Sequence, residues 1–222
     1  FHNAKWRAEF VGWQLRYTDR IVSVGTGDTT PEGRAHRSVS ITMRTPGNDL
    51  DLVTGFLFTE GVISGPDDLV YVRHCARADT PDNVVRAALK PGVTVPPHLL
   101  ERNLRVSSAC GVCGERTLES LEKTGCAPLD SYGAPVDAAA IRAAVAGLGA
   151  AQAWFRNTGG THGAALFDWS GHLVEHREDV GRHNALDKLI GARLCETSGD
   201  TFVVVSSRAS FELVQKTVRA RI

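Results

Sequence analysis

The chain of 222 residues has no net charge: 25 lysines and arginines stand against 25 aspartates and glutamates. A protein that binds nucleic acid at large needs a positive face, so that class is excluded, while a local basic site for one anionic ligand remains open. No apolar run approaches the roughly 18–20 residues that span a bilayer, which argues against a membrane protein. The opening stretch FHNAKWRAEFVGW has neither an apolar signal core nor a cleavage site, so no secretory signal is expected. Five cysteines at irregular spacing do not make a disulfide framework, and a reduced cytoplasmic protein is the expectation. Low-complexity tracts and internal repeats are also lacking.

What is present is an ordinary globular balance, 42% hydrophobic and 23% charged, with patterns that alternate between strand and helix. In the stretch from His36 to Gly47, Val39, Ile41 and Met43 alternate with polar neighbours, which predicts a half-buried strand ended by Pro46-Gly47. A helix is predicted from Leu50 to Glu60, with Gly61 past its end. LVYVRHCARA and NVVRAALK predict two strands joined through Pro81-Asp82-Asn83. A helix ending near Gly125 carries Leu118 and Leu121. Another runs from Asp137, its N-cap, to Leu148, with Ile141, Val145 and Leu148 as the inward face. ALFDWSGHLVEHRE predicts a hairpin through Ser170-Gly171. A helix from Asn184 to Leu194 turns Leu186, Leu189 and Ile190 inward. TFVVVSS predicts a strand buried on both faces, and Ser210 to Arg219 a last helix. Helices alternating with strands from residue 107 onward predict an α/β sheet with helices on both sides. The earlier part reads as α+β. The expected division is a small α+β subdomain over 1–100 and an α/β domain over 101–222.

Four segments carry chemistry. SSACGVCGE places Cys110 and Cys113 in a CxxC pair with a glycine after each. Such a pair serves zinc, thiol–disulfide exchange or carriage of a sulfur or acyl group, or it is two small residues in a tight turn. Zinc needs about four ligands, and no second pair is present. A helix starting near Glu115 would lower the pKa of a thiol at its N-terminus, with Glu115 and Glu119 offsetting part of that. TGGTHGA, with Thr158, Gly159, Gly160, Thr161 and His162, is a turn able to present amides to an anion, or a plain tight turn. EDVGRHNALDK gathers Arg182, His183, Asn184 and Asp187 at a helix start, with His183 and Asp187 on one face. Ser206, Ser207 and Arg208 follow the strand TFVVV and precede a helix, a position that suits a phosphate. EDVGRHNALDK also fits a capped helix start with solvated charges, but the last three segments together favour a phosphorylated ligand more than any one of them alone does.

TMRTPGNDLDLVTGFLFTEGVI, SSACGVCGE, TGGTHGAALFD, EDVGRHNALDKLIG and SSRASFELVQKT run in order from about residue 42 to 217. With these stretches the chain resembles the formate dehydrogenase accessory sulfurtransferase (FdhD) family. The resemblance implies a sulfurtransferase that receives persulfide sulfur from a cysteine desulfurase on Cys110 or Cys113. It also implies delivery of that sulfur to the bis-molybdopterin guanine dinucleotide cofactor, on which formate dehydrogenase depends. GDP would then mimic part of the cofactor. A cytoplasmic homodimer is implied, as is a larger C-terminal three-layer domain resembling the cytidine deaminase fold. Two other function classes compete. One is a chaperone that only holds the cofactor. The other is a zinc deaminase, whose H-x-E and P-C-x-x-C order this chain does not follow, since Gly163-Ala164 stand after His162.

Overall fold

A computed structural model describes residues 25–30, 33–76, 83–97, 99, 136–194 and 201–222. Among them lie β1 (Gly25–Thr30), β2 (Gly33–Ser38), α1 (Asp49–Thr59), β3 (Leu69–His74), β4 (Val85–Leu89), α2 (Ala138–Ala151), α3 (Ala153–Thr158), β5 (His162–Asp168), β6 (Leu173–Asp179), α4 (Arg182–Arg193), β7 (Thr201–Val205) and α5 (Phe211–Arg219). Cys110, Cys113 and the helix predicted after them fall outside the described residues.

The strands form three sheets: β1-β2, β3-β4 and β6-β5-β7. Every described pairing is antiparallel. The predicted hairpin is β5-β6, turned by Gly171 at φ +83°. A β-carbon there would fall 2.6 Å from the Ala140 carbonyl oxygen, so glycine is needed for space as well as conformation.

The three-stranded sheet carries helices on both faces. Ala144 and Leu148 of α2 pack on Ala165, Phe167, Phe202 and Val204. Leu186, Leu189 and Ile190 of α4 and Leu213 of α5 pack on the other face, against Ala164, Leu166, Val203 and Val205. The alternation of 164/166 with 165/167 across β5 explains why every residue from Gly163 to Phe167 is buried. A separate core joins Leu52, Val53 and Leu57 of α1 to Val85 and Ala87 of β4.

Two helices meet with almost no side chain between them. A β-carbon at Gly55 of α1 would lie 1.8 Å from the Asp187 carbonyl oxygen. One at Gly191 of α4 would lie 1.9 Å from the Asp51 carbonyl oxygen. The two glycines let the backbones of α1 and α4 approach to contact, so α1 packs directly on the helix that bears the EDVGRHNALDK cluster.

Three expectations need correction. The strand predicted through Val39, Ile41 and Met43 lies earlier, at β2, and residues 39–46 are irregular. Val39 is buried, but Ile41 and Met43 are exposed. Side chains replace a strand partner here. Asn184 Nδ2 donates to the Met43 carbonyl at 2.8 Å, and Lys188 Nζ to the Thr45 carbonyl at 2.7 Å. The Thr45 amide donates to Asp179 Oδ2 at 3.0 Å. In α2 the buried face is Ala140, Ala144 and Leu148, while Ile141 and Val145 are exposed. Small residues let this helix lie close on the sheet, and that outweighs the larger apolar side chains one position along. Finally, β7 is only partly buried at all five positions.

Candidate functional site at one end of the sheet

The first residue of β5, the last of β6 and the end of β7 come to the same end of the three-stranded sheet. His162 stands opposite Asp179 in the β5-β6 register. Gly163 exchanges two bonds with Ser206: the Ser206 amide donates to the Gly163 carbonyl at 2.9 Å, and the Gly163 amide to Ser206 Oγ at 2.8 Å. The N-terminus of α4, with Arg182 and His183, follows directly from Asp179. His183 Nε2 lies 3.2 Å from Glu212 Oε2 in the first turn of α5. The three clusters named from sequence, excepting the cysteines, therefore share one site.

Two of its named residues are framework. Asn184 is buried and spans Thr42, the Met43 carbonyl and Asp179. Asp187 is 2% exposed and is filled by Lys216 Nζ at 2.7 and 2.8 Å and Thr59 Oγ1 at 2.8 Å. Asp179 is fully buried and takes Lys188 Nζ at 2.7 Å, the amides of Thr45 and Gly181, and Asn184 Nδ2. Burial pushes its carboxyl above the ordinary range, against the pull of Lys188, Gly181 and Asn184. Arg44 and Asp49 form a further buried pair. These groups brace residues 42–45 and α4 under the site.

The Gly-rich turn is more occupied than its sequence implies. Gly159, left-handed at φ +66°, caps α3 through its amide on the Phe155 carbonyl. The Gly160 amide donates to Thr158 Oγ1, which itself donates to the Trp154 carbonyl. Thr161 Oγ1 donates to Glu178 Oε2 at 2.8 Å. Glu178 also accepts the amides of Trp154 and Phe155 at 2.9 and 2.8 Å. The expected anion cradle thus has the amides of Gly159, Gly160 and Gly163 on internal acceptors, and cationic side chains must do more of the recognition.

Those side chains are present. Arg208 is exposed on the β7-α5 turn. Arg182 lies near enough to His162 to act on it. Burial first, then the Arg182 guanidinium, hold the His162 imidazole below its ordinary range, with Asp179 pulling the other way. His162 is therefore a neutral imidazole at pH 7, able to donate from one nitrogen and accept at the other.

Sequence reasoning missed Lys216, Thr45, Glu178 as a clamp, and Gln152. Lys216 follows Leu213 by three residues and so falls in the inward phase of α5, a signal the lysine side chain obscures. Gln152 separates α2 from α3, is 4% exposed, and its Nε2 has no hydrogen-bond partner among the described residues. No sequence pattern marks it.

Among the described residues no group of three or more His, Cys, Asp or Glu side chains is placed to hold a metal ion. No described helix is long and apolar enough to cross a membrane.

Comparison with known proteins adds lineage to this geometry. A family model described as FdhD/NarQ matches residues 34–222. A protein of Streptomyces avermitilis named sulfur carrier protein FdhD is 44% identical over 195 residues, covering 84% of this chain and 69% of the relative. One of the same name from Mycobacterium tuberculosis is 41% identical over 194 residues, covering 83% of this chain and 70% of the relative. The chain also matches the fold of a crystal structure from Desulfotalea psychrophila, described as a formate dehydrogenase accessory protein. That match has a TM-score of 0.60 at 22% identity and covers 90% of this chain and 81% of the other.

Proposed function

Because the chain belongs to the FdhD/NarQ family, we propose that it is a sulfur carrier in the maturation of a molybdenum cofactor. In this reading Cys110 or Cys113 attacks the persulfide of a cysteine desulfurase and holds the transferred sulfur. The sulfur then goes to bis-molybdopterin guanine dinucleotide, the substrate, before that cofactor enters formate dehydrogenase. Cys110 is the preferred carrier and Cys113 its resolving partner. The proposal includes a cytoplasmic homodimer whose larger domain is of cytidine deaminase type. The strand order β6-β5-β7 and the helices on both faces support that last point.

The observation that carries the reading is the meeting of His162, Arg182, Ser206 and Arg208 at one end of the sheet. That meeting suits an anionic nucleotide end of a ligand. Arg208 supplies a fixed charge with planar donors, and His162 a neutral imidazole, while Asp179 and Asp187 are neutralised within the framework.

The test is mass spectrometry after incubation with a cysteine desulfurase and cysteine. The expected result is a reductant-labile addition of one sulfur mass, about 32 Da, on Cys110 or Cys113. Addition only at Cys75, Cys126 or Cys195 would overturn the carrier assignment.

A further inference from the structure

His183 and Asp187 are one turn apart on α4, as are Glu212 and Lys216 on α5. They pair in register, Asp187 with Lys216 at 2.7 Å and His183 with Glu212 at 3.2 Å. The two helices therefore run side by side in one direction, with both N-termini at the sheet end that carries Asp179 and Ser206. The inner pair is sealed, at 2% exposure for each side chain. The outer pair stays open, at 12% for His183 and 18% for Glu212. The other carboxylates at this end have both oxygens in use. Asp179 takes Lys188, Asn184 and the amides of Thr45 and Gly181. Asp187 takes Lys216 and Thr59, and Glu178 takes the amides of Trp154 and Phe155 and Thr161 Oγ1. Glu212 turns Oε2 to His183, and its Oε1 has no hydrogen-bond partner among the described residues. Arg182 and Arg208 can only donate, so Glu212 supplies the charged acceptor with an open oxygen.

We propose that the Glu212 carboxylate reads the base of the nucleotide ligand, accepting from the ring N1–H and the exocyclic 2-amino group of guanine. The inference rests on the nucleotide-binding reading above and adds a specificity-determining residue to it. A carboxylate matches these two adjacent donors with charge-assisted hydrogen bonds. It rejects adenine, whose N1 is an acceptor, and it gains less from hypoxanthine, which lacks the amino group. His183 steadies the carboxylate from α4, and Arg208, four residues before Glu212, remains for a phosphate.

Glu212→Gln keeps the shape of the side chain and replaces one acceptor oxygen with a donor. Isothermal titration with GDP, inosine diphosphate, xanthosine diphosphate and pyrophosphate reads the base and the phosphates separately. The wild type should bind GDP about tenfold or more tighter than inosine diphosphate, the effect of one hydrogen bond to a charged group. The variant should lose about tenfold or more in GDP affinity and bind xanthosine diphosphate more tightly than the wild type does, because the amide can donate to the 2-oxo group. Its pyrophosphate affinity should be unchanged. A merely structural role for the pair with His183 would not exchange one base for another. A variant that keeps the wild-type ratio of GDP to xanthosine diphosphate affinity, or that loses all four ligands equally, overturns the role of Glu212 and leaves the nucleotide reading intact. So does a wild type that binds GDP no better than inosine diphosphate. If the wild type binds none of the four, the nucleotide reading fails and takes this inference with it. Should the variant not fold, the carboxylate carbon resonance of Glu212 in the wild type decides the matter. It shifts on saturation with GDP and stays in place with pyrophosphate if the base is read there, and its invariance to GDP overturns the proposal.

Discussion

Lys216 Nζ sits 2.7 Å from Asp187 Oδ2, with each side chain 2% exposed. The ammonium also reaches Thr59 Oγ1 at 3.0 Å and Glu60 Oε1 at 3.5 Å. One lysine thereby joins α5 to α4 and to the end of α1. Burial alone would lower its pKa, but the Asp187, Glu60 and Glu212 carboxylates outweigh burial and hold it above the ordinary lysine range.

Lys216→Met is expected to destabilise the protein by roughly 3–5 kcal/mol, since it leaves the Asp187 carboxylate buried without its counter-charge. The pH dependence has a definite sign. The folded-state pKa is raised, so the stability from Lys216 is complete below the ordinary lysine pKa and is lost as pH rises through the elevated folded value. Urea denaturation at a series of alkaline pH values should show this loss in the wild type and its absence in the variant.

The glycines between α1 and α4 give a contrast within one residue type. Gly55→Ala and Gly191→Ala each drive a methyl group into backbone of the other helix. Both should cost about 3 kcal/mol or more, at the upper end of overpacking. Gly149 lies in α2 with open space around it, so Gly149→Ala should gain about 0.5–1 kcal/mol from helix propensity. Denaturation midpoints of the three variants check both signs at once.

His162 should titrate below free histidine in an NMR pH series, because burial and Arg182 both disfavour its charged form. Arg182→Ala should move the midpoint up. The folded-state pKa is depressed, so the stability this group contributes is complete above the ordinary histidine pKa of about 6.5 and is lost as pH falls through the folded value. A His162 midpoint above the ordinary range in the wild type would contradict the geometry of the site.

In the proposed function, sulfur carriage and ligand binding draw on separate segments. Cys110→Ala with Cys113→Ala should therefore keep GDP affinity and fail to restore formate dehydrogenase activity in a strain lacking the native protein. Arg208→Ala should weaken GDP binding by about 1 kcal/mol or more, through loss of charge-assisted hydrogen bonds. Calorimetry on both variants, with an activity assay on the first, reads out the two roles. Restored activity without the cysteines would identify a chaperone that holds the cofactor and carries no sulfur.

The local signals in this chain decided local structure. Asp137 accepts from the Ala139 amide at 2.7 Å as the N-cap of α2. Ser210 accepts from the Leu213 amide in the same role for α5. Gly61 follows α1 at φ +78°. Ser170-Gly171 turns the β5-β6 hairpin, and Leu186, Leu189 and Ile190 face inward from α4. Each of these depends on groups a few residues apart, so the sequence is enough to state them. The motifs around His162, His183 and Arg208 were legible in the same way, as local crowding of polar groups and glycine.

What the tertiary structure decided is which of those groups remain for a ligand. Met43 to Thr45 alternate like a strand, yet their backbone is held by Asn184, Lys188 and Asp179, more than 130 residues away. Ile141 and Val145 are the larger apolar residues of α2, yet Ala140 and Ala144 face the sheet because close approach there favours small side chains. Asp187 reads as a site residue until Lys216 and Thr59 fill its carboxylate. The amides of Gly159 and Gly160 read as an anion cradle until Phe155 and Thr158 accept from them. Gln152 carries no mark in the sequence, and only the fold lays its side chain against Gly163. For residues 43–45 and for Asp187 the deciding partner is remote in sequence, and the fold brings those polar groups together out of water, where each needs the other.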